Sequence, residues 1–222
     1  MNIKKYYLAA RNTWDETLAY RLNFVMWRVR VVLTMLTMYF LWAALLTGGG
    51  NILGYTREPM LTYILGASII SSIVISNRSY EVGEEINNGN LSNFLLRPIN
   101  YFGYQFSRDL GDKAMSIVFS IIELTFLFLI LKPPIFIQSD ASLLILTMLS
   151  SLLALIMYFF ISFLLGLIGF WSAEVWAPRF IFITLLTFIS GGLFPLDILP
   201  EPIFSIVSFF PFTYLLFFPL KI

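Results

Sequence analysis

The sequence predicts an all-α protein that crosses a lipid bilayer several times. Three observations carry this. Of 222 residues, 59% are hydrophobic and only 12% charged, about half the charged share of a domain that faces water. The apolar residues gather in runs close to the roughly 20 residues a helix needs to cross a ~30 Å hydrocarbon core. Lys and Arg are also unevenly divided between alternate connections, which is how helical membrane proteins set their orientation.

The elements follow in order. Within 1–21, Ile3, Tyr7, Ala10, Trp14 and Leu18 recur every three or four positions, with Lys4, Arg11 and Asp15 elsewhere on the wheel. This pattern predicts an amphipathic helix lying in the membrane interface; a solvated helix packed on a partner has the same periodicity. The basic N-terminal stretch lacks the short apolar core and small-residue cleavage site of a signal peptide, so the first span is expected to act as an uncleaved anchor. That span is 22–46, with Arg28 and Arg30 near its start, where they can snorkel to head groups. It ends at a flexible break, Thr47-Gly48-Gly49-Gly50-Asn51.

The second span is 60–76. Its small residues Gly66, Ala67, Ser68, Ser71 and Ser72 permit close helix approach. A polar stretch over 77–113 separates it from the third span, 114–131, which contains Glu123 and stops at Lys132-Pro133-Pro134. The fourth, 143–171, exceeds a perpendicular crossing and calls for tilt. The fifth is 180–196. Pro195, Pro200 and Pro202 then forbid a regular helix. The last run, 203–218, is broken by Pro211 and reads as short helices re-entering one leaflet, or as a kinked sixth span. The expected whole is a single transmembrane domain over 1–222: five spans, an interfacial helix, and a Pro-broken re-entrant region over 197–222.

Lys4, Lys5, Arg11, Arg21, Arg28 and Arg30 precede or open the first span; Arg78, Arg97, Arg108 and Lys113 lie in 77–113; Arg179 adds one more. The opposite connections hold Arg57 and Lys132. The positive-inside rule therefore puts the N-terminus and 77–113 in the cytoplasm of a plasma or inner membrane, and the re-entrant region on the outer face.

Net charge is +1, with no Cys and no His. The first gives no footprint for nucleic acid. The second removes disulfides, thiolate or His-based metal sites, and His-dependent nucleophilic catalysis. No cofactor is expected. A membrane-embedded enzyme would need paired carboxylates, and Glu123 alone lies within a span.

The polar stretch 77–113 is the most informative segment. Glu81, Glu84 and Glu85 form an acidic cluster. Asn88-Gly89-Asn90 can turn the chain, and Asn90 can cap a helix. Leu91, Phe94 and Leu95 then share one helical face, and Pro98 disfavours helix at Arg97. The product is a short helix offering an apolar face to the cytoplasm.

Glu81…Glu85…Gly89-Asn90-Leu91-Ser92-Asn93-Phe94-Leu95-Leu96-Arg97-Pro98 resembles the "E…E…G-x-L-x-x-x-L-L-x-x-P" segment of membrane subunits of type-2 ABC exporters, with one residue rather than two between Leu96 and Pro98. Further matches lie in Ser190-Gly191-Gly192-Leu193-Phe194-Pro195-Leu196 and Phe210-Pro211-Phe212-Thr213-Tyr214…Pro219, similar to that family's fifth span, outer re-entrant helices and "P-F-x-Y-x-x-x-x-P" signature. Asn90 stands where the family often has Thr. The family also has a sixth span after the re-entrant region, and the expectation is that it is missing here.

The resemblance implies a permease subunit whose cytoplasmic segment couples to a separate ATP-binding subunit, alongside a second permease copy. The residues it assigns to coupling are Glu81, Glu84, Glu85, Gly89, Leu91, Phe94, Leu95, Leu96, Arg97 and Pro98. Glu123, Gly191, Gly192 and Pro195 are the expected gate or pathway residues. Gly191 and Gly192 read equally as close-packing positions, and Glu123 equally as a carboxylate paired with a bundle Ser, Thr or Tyr. No phosphate-binding Gly-x-x-x-x-Gly-Lys-Ser/Thr stretch occurs: 49–56 lacks the Lys, and Gly111-Asp112-Lys113 is followed by Ala114. ATP hydrolysis therefore belongs to the partner. The implied activity is export of an amphiphile (drug, lipid or glycan); an ion-coupled carrier using Glu123, or a scaffold with no ATPase, is the alternative.

Overall fold

The computed structural model describes residues 3–47, 51, 54–75, 78, 81–136 and 138–222. The central glycines of the expected break after the first span, and Asn77 at the start of the polar stretch, lie outside the described residues. Among the described residues, ten α-helices follow one another: α1 (Ile3–Ala19), α2 (Arg21–Leu45), α3 (Arg57–Val74), α4 (Glu81–Asn87), α5 (Asn90–Leu95), α6 (Tyr101–Leu131), α7 (Ala141–Gly166), α8 (Trp176–Ile189), α9 (Glu201–Phe209) and α10 (Phe217–Lys221). Short 3-10 turns occupy Leu167–Phe170, Leu196–Ile198 and Pro211–Tyr214.

Among the described residues, three segments are long and apolar enough to cross a membrane: Arg21–Leu45, Tyr101–Leu131 and Ala141–Phe170. The first and third match the expected spans to within a few residues. The second does not. Residues 101–113 belong to α6 rather than to a loop, which makes α6 31 residues long, or ~46 Å at 1.5 Å per residue. Asn100 starts this helix early: its side chain accepts a hydrogen bond from Gly103 N at 2.8 Å, an N-cap. Lys132, with φ of 42°, ends it where the two prolines follow. Helix α8 has 14 residues, ~21 Å, and stops at Ile189 rather than running to 196.

Helix α3 is the centre of the bundle. Met60, Leu61, Ile64, Leu65, Ala67 and Val74 are all buried. Leu61 and Leu65 pack with Met35 and Tyr39 of α2 and Leu127 of α6. Ile70 and Val74 pack with Ala154 and Tyr158 of α7, Leu186 of α8, and Leu215 and Leu216. Tyr63, Ile64 and Ala67 meet Leu196 and Phe217. Of the small residues expected to allow close approach, Gly66 does so: a Cβ there would lie 2.8 Å from Leu220 Cδ2.

The outward faces of α2, α6 and α7 keep large apolar side chains exposed, among them Leu33, Phe40, Phe126, Ile130, Ile145 and Met148. Thr and Ser hydroxyls along these helices bond back to carbonyls one turn earlier, as in Thr37 to Leu33 at 2.7 Å and Thr125 to Ile121 at 2.8 Å. That satisfies them without water, which a lipid environment requires.

The region after α8 is broken, as the prolines dictate. Helix α9 spans nine residues, ~14 Å, and α10 five. Neither forms a kinked sixth span. Leu215 and Leu216 enter the core between α3, α7 and α8, so this segment packs into the bundle.

Helix α1 divides its surface between two environments. Its buried stripe is Ala9, Thr13 and Thr17, one face turned from the apolar stripe read in the sequence. Ile3, Tyr7 and Leu18 of that apolar stripe stay exposed, available to lipid. The buried stripe lies across the first half of α6. At the crossing, a Cβ on Gly111 would stand 2.5 Å from the Ala10 carbonyl oxygen, so only glycine fits. Gly111→Ala is expected to lift α1 from α6 and destabilise the protein by about 1–3 kcal/mol, the usual penalty for overpacking. Thermal unfolding in detergent, with limited proteolysis of α1, measures this.

Candidate functional site

At the end of the bundle that carries α1, helices α4 and α5 form a small hairpin between α3 and α6. Gly89 makes the corner with φ of 72°, a left-handed conformation that favours glycine. Gly89 itself is the residue before α5, and Asn90 is its first residue; the cap expected of Asn90 is not made. Helix α5 ends at Leu95, before Arg97-Pro98.

The apolar face expected on α5 is split. Phe94 turns inward, its ring 5.7 Å from Tyr101 and 5.1 Å from Tyr104 of α6, with the Arg97 guanidinium 5.0 Å over it. Leu91 is half-buried. Leu95 and Leu96 point outward, 70% and 86% exposed, and Pro98 accepts a hydrogen bond from Lys5 Nζ of α1 at 3.0 Å.

The acidic cluster is likewise divided, and two of its three members face the protein. Glu81 pairs with Arg108 of α6 at 2.7 Å, and Glu85 with Arg108 at 3.5 Å. Glu85 also accepts hydrogen bonds from the Tyr101 hydroxyl and, at 2.9 Å, Gln105 Nε2. Arg108 reaches Glu16 of α1 at 3.4 Å. Arg78 contacts Glu16 at 2.7 Å, Asp112 at 3.5 Å and Glu81 at 3.7 Å. Burial raises the Glu81 carboxyl above the ordinary glutamate value; Arg108 and Arg78 oppose that shift and Glu16 adds to it. Glu84, the third member, is exposed.

Close contact fixes the hairpin to the 3-10 turn that follows α7 and to the connection beyond it. A Cβ on Gly169 would meet the Gly83 carbonyl oxygen at 2.7 Å, and a Cβ on Gly83 would meet Val175 Cγ1 at 2.7 Å. Asn87 Nδ2 donates to the Ala173 carbonyl at 2.9 Å. An aromatic box joins α6 to α7 beneath this point, with Phe159 centred 5.2 Å from Phe102 and 4.9 Å from Phe106. Beside it, Lys113 Nζ caps the end of α3 through the Ile73 and Val74 carbonyls, both at 3.0 Å, and pairs with the fully buried Asp109 at 3.6 Å.

A vestibule of about 780 Å³ opens among α2, α3, α6, α7 and α8 next to the hairpin. Arg28 lines it, and here the structure corrects the sequence. Arg28 does not snorkel; it is 6% exposed, and its Nε and Nη2 both bond to Glu123, the former at 2.7 Å. Nη2 also bonds Ser120 Oγ at 3.1 Å. The partner of Glu123 is thus an arginine rather than a Ser, Thr or Tyr.

The other expected pathway residues have different neighbours. Gly191, with φ of 82°, accepts a hydrogen bond from the Tyr63 hydroxyl at 2.7 Å, and a Cβ there would lie 2.7 Å from the same oxygen. Gly192 faces Leu216, and Pro195 is buried. These positions are close-packing ones at the far end from the hairpin. Nearby, Asp197 accepts from the Tyr55 hydroxyl at 2.9 Å and pairs with Lys221. Among the described residues, no group of three or more His, Cys, Asp and Glu is arranged to hold a metal ion.

Sequence reasoning missed Arg78, Arg108, Asp109 and Lys113 as structural parts, since it counted the cations only toward orientation. The signal was present: Gly103, Ser107 and Gly111 repeat at four-residue spacing, a small-residue stripe for helix contact, and Asp109 and Lys113 stand one turn apart.

The Arg28–Glu123 pair yields a direct test. Arg28→Ala strands a carboxylate in the bundle and is expected to destabilise by about 3–5 kcal/mol. Arg28→Ala combined with Glu123→Ala should recover most of that loss in a double-mutant cycle of thermal unfolding.

Comparison with curated proteins and with solved structures gave no match. The family model described as ABC-2 family transporter protein matches residues 32–222, which includes α4, α5, Arg108 and the broken segment after α8. The chain is a multi-pass membrane protein that belongs to the ABC-2 transporter family.

Proposed function

We propose that this chain is the permease subunit of an ATP-driven exporter, with α4 and α5 as the coupling element for a separate ATP-binding subunit. The observation that carries this is the two-sidedness of the hairpin. Its inner side is locked to α1, α6 and α7 by ion pairs and glycine contacts. Its outer side displays Leu95 and Leu96 among polar neighbours, Asn93, Arg97 and Asn100. Burying a leucine fully is worth about 1.5–3 kcal/mol, so a groove that takes both gains several kcal/mol of binding. Leu91 and Phe94 act beneath them as support, and Glu81 and Glu85 hold the element rather than meet the partner.

In this reading the N-terminus and the hairpin are cytoplasmic in a cell membrane, α2, α3, α6, α7 and α8 are the five spans, and the segment after α8 re-enters from the outer face. Closure of the ATP-binding subunit pushes α5. Glu81 and Glu85 pass that displacement to Arg108 on α6, and the Gly83–Gly169 contact passes it to α7. Rocking of α3 and α6 then opens a path for an amphiphile between two permease copies. The carrier reading is weaker, because both Glu123 oxygens are engaged by Arg28.

Leu95→Asp combined with Leu96→Asp leaves the ion pairs and glycine contacts of the hairpin in place. Co-expressed with the ATP-binding subunit, this variant should lose at least about tenfold of co-purifying partner, the effect of ~1.4 kcal/mol or more, while its melting temperature stays that of the parent. Partner recovery at the parental level would overturn the assignment.

A further inference from the structure

The vestibule has a polarity gradient along the bundle. Farthest from the hairpin it is lined by Val31 of α2 and Ile183 of α8. Arg28 comes next, seven residues into α2, ~10 Å from its start. On the hairpin side the lining includes the exposed Glu84 of α4 and Glu174 of the α7–α8 connection, together with Arg78, and Arg179 in the first turn of α8. The half-exposed rings of Trp27 and Trp176 also line the cavity.

Arg28 has donors to spare. A guanidinium carries five N–H groups, of which Nε and Nη2 serve Glu123 and Ser120. Among the described residues no acceptor meets Nη1, which leaves two N–H groups for the cavity that Arg28 lines. An arginine held in a dry site favours a phosphate oxygen there. On the hairpin side, the carboxylates of Glu84 and Glu174 and the indole of Trp176 favour an ammonium.

The charged lining is balanced: Arg28, Arg78 and Arg179 against Glu84, Asp112 and Glu174. Balance favours a ligand without net charge but with separated charges. A phospholipid in the leaflet on the hairpin side has that order, with acyl chains toward the bilayer centre, phosphate next and ammonium outermost. At about 780 Å³ the vestibule falls within the ~300–1,000 Å³ of small-molecule sites.

We propose that the vestibule binds a zwitterionic membrane phospholipid, its phosphate on Arg28 and its terminal ammonium at Glu84 and Glu174. This names the substrate class for the export reading and rests on that reading for the transport step after binding.

The test uses the full chain in nanodiscs of palmitoyl-oleoyl phosphatidylethanolamine mixed equally with phosphatidylglycerol of the same chains. Retained lipid is counted by native mass spectrometry, with free phosphoethanolamine as a competitor. Phosphatidylethanolamine should be retained about tenfold over phosphatidylglycerol. Glu84→Gln with Glu174→Gln should abolish that preference. Arg28→Gln with Glu123→Gln, which leaves no stranded charge, should lower retention of both lipids about tenfold. Free phosphoethanolamine should not displace the lipid. Equal retention of the two lipids by the parent chain, variants that match it, or displacement by the free head group would each overturn the proposal. A chain that keeps the lipid but never takes up an ATP-binding subunit overturns the export reading alone.

Discussion

Everything at the α1 end of this protein depends on two arginines. Arg78 and Arg108 are shared among Glu16, Glu81, Glu85 and Asp112, and through them α1, α4 and α6 become one body. Such clusters add little net stability, because apolar residues of similar volume would hold helices together as well. What they add is a fixed arrangement, since each arginine holds carboxylates from different helices at once, and displacing Arg108 removes the arginine that pairs with the largely buried Glu85. A short hairpin of seven- and six-residue helices could not hold its own position; isolated helices of that length are unstable in water. The cluster supplies the position, and the Gly83–Gly169 contact supplies a second point of attachment on α7.

Deeper in the bundle the same logic recurs with different chemistry. Arg28 and Glu123 tie α2 to α6, and Lys113 ties α6 to the last carbonyls of α3. Helix α6 therefore has a polar partner on each of α1, α2, α3 and α4, whereas its second half turns Ile121, Phe126, Leu129 and Ile130 outward. The helix is a rod with a charged, protein-facing end and an apolar, lipid-facing end. A displacement at the charged end reaches the spans without passing through a flexible loop, and this is why the extent of α6 matters for the proposed mechanism.

Much of this was legible in the sequence. The helices α2, α3 and α7 followed from apolar run length, the break after α8 from Pro195, Pro200 and Pro202, and the hairpin corner from Gly89. The start of α6 was not, because 101–113 is polar and polarity reads as loop. Those polar side chains face other helices instead: Arg108, Asp109 and Lys113 are buried, a tertiary fact with no local signature beyond the glycine and serine spacing. Arg28 was misread for the same reason. An arginine near a span's start can reach either the head groups or a carboxylate ~95 positions along the chain, and only the folded contact decides. The hairpin was legible in outline, in that 81–98 does form short helices turned at Gly89. Which side of it faces out was not, since the face read as Leu91, Phe94 and Leu95 divides between inward and outward positions.

The central claim is that the hairpin and α6 move as one body through Arg108. The chain has no Cys, so spin labels on Asn93→Cys in α5 and Leu129→Cys in α6, with the labelled chain diluted in unlabelled chain, report the intended pair. Pulsed dipolar spectroscopy should give one narrow distance distribution in the parent protein and a broad one in Arg108→Ala. A distribution that stays as narrow in Arg108→Ala would contradict the account.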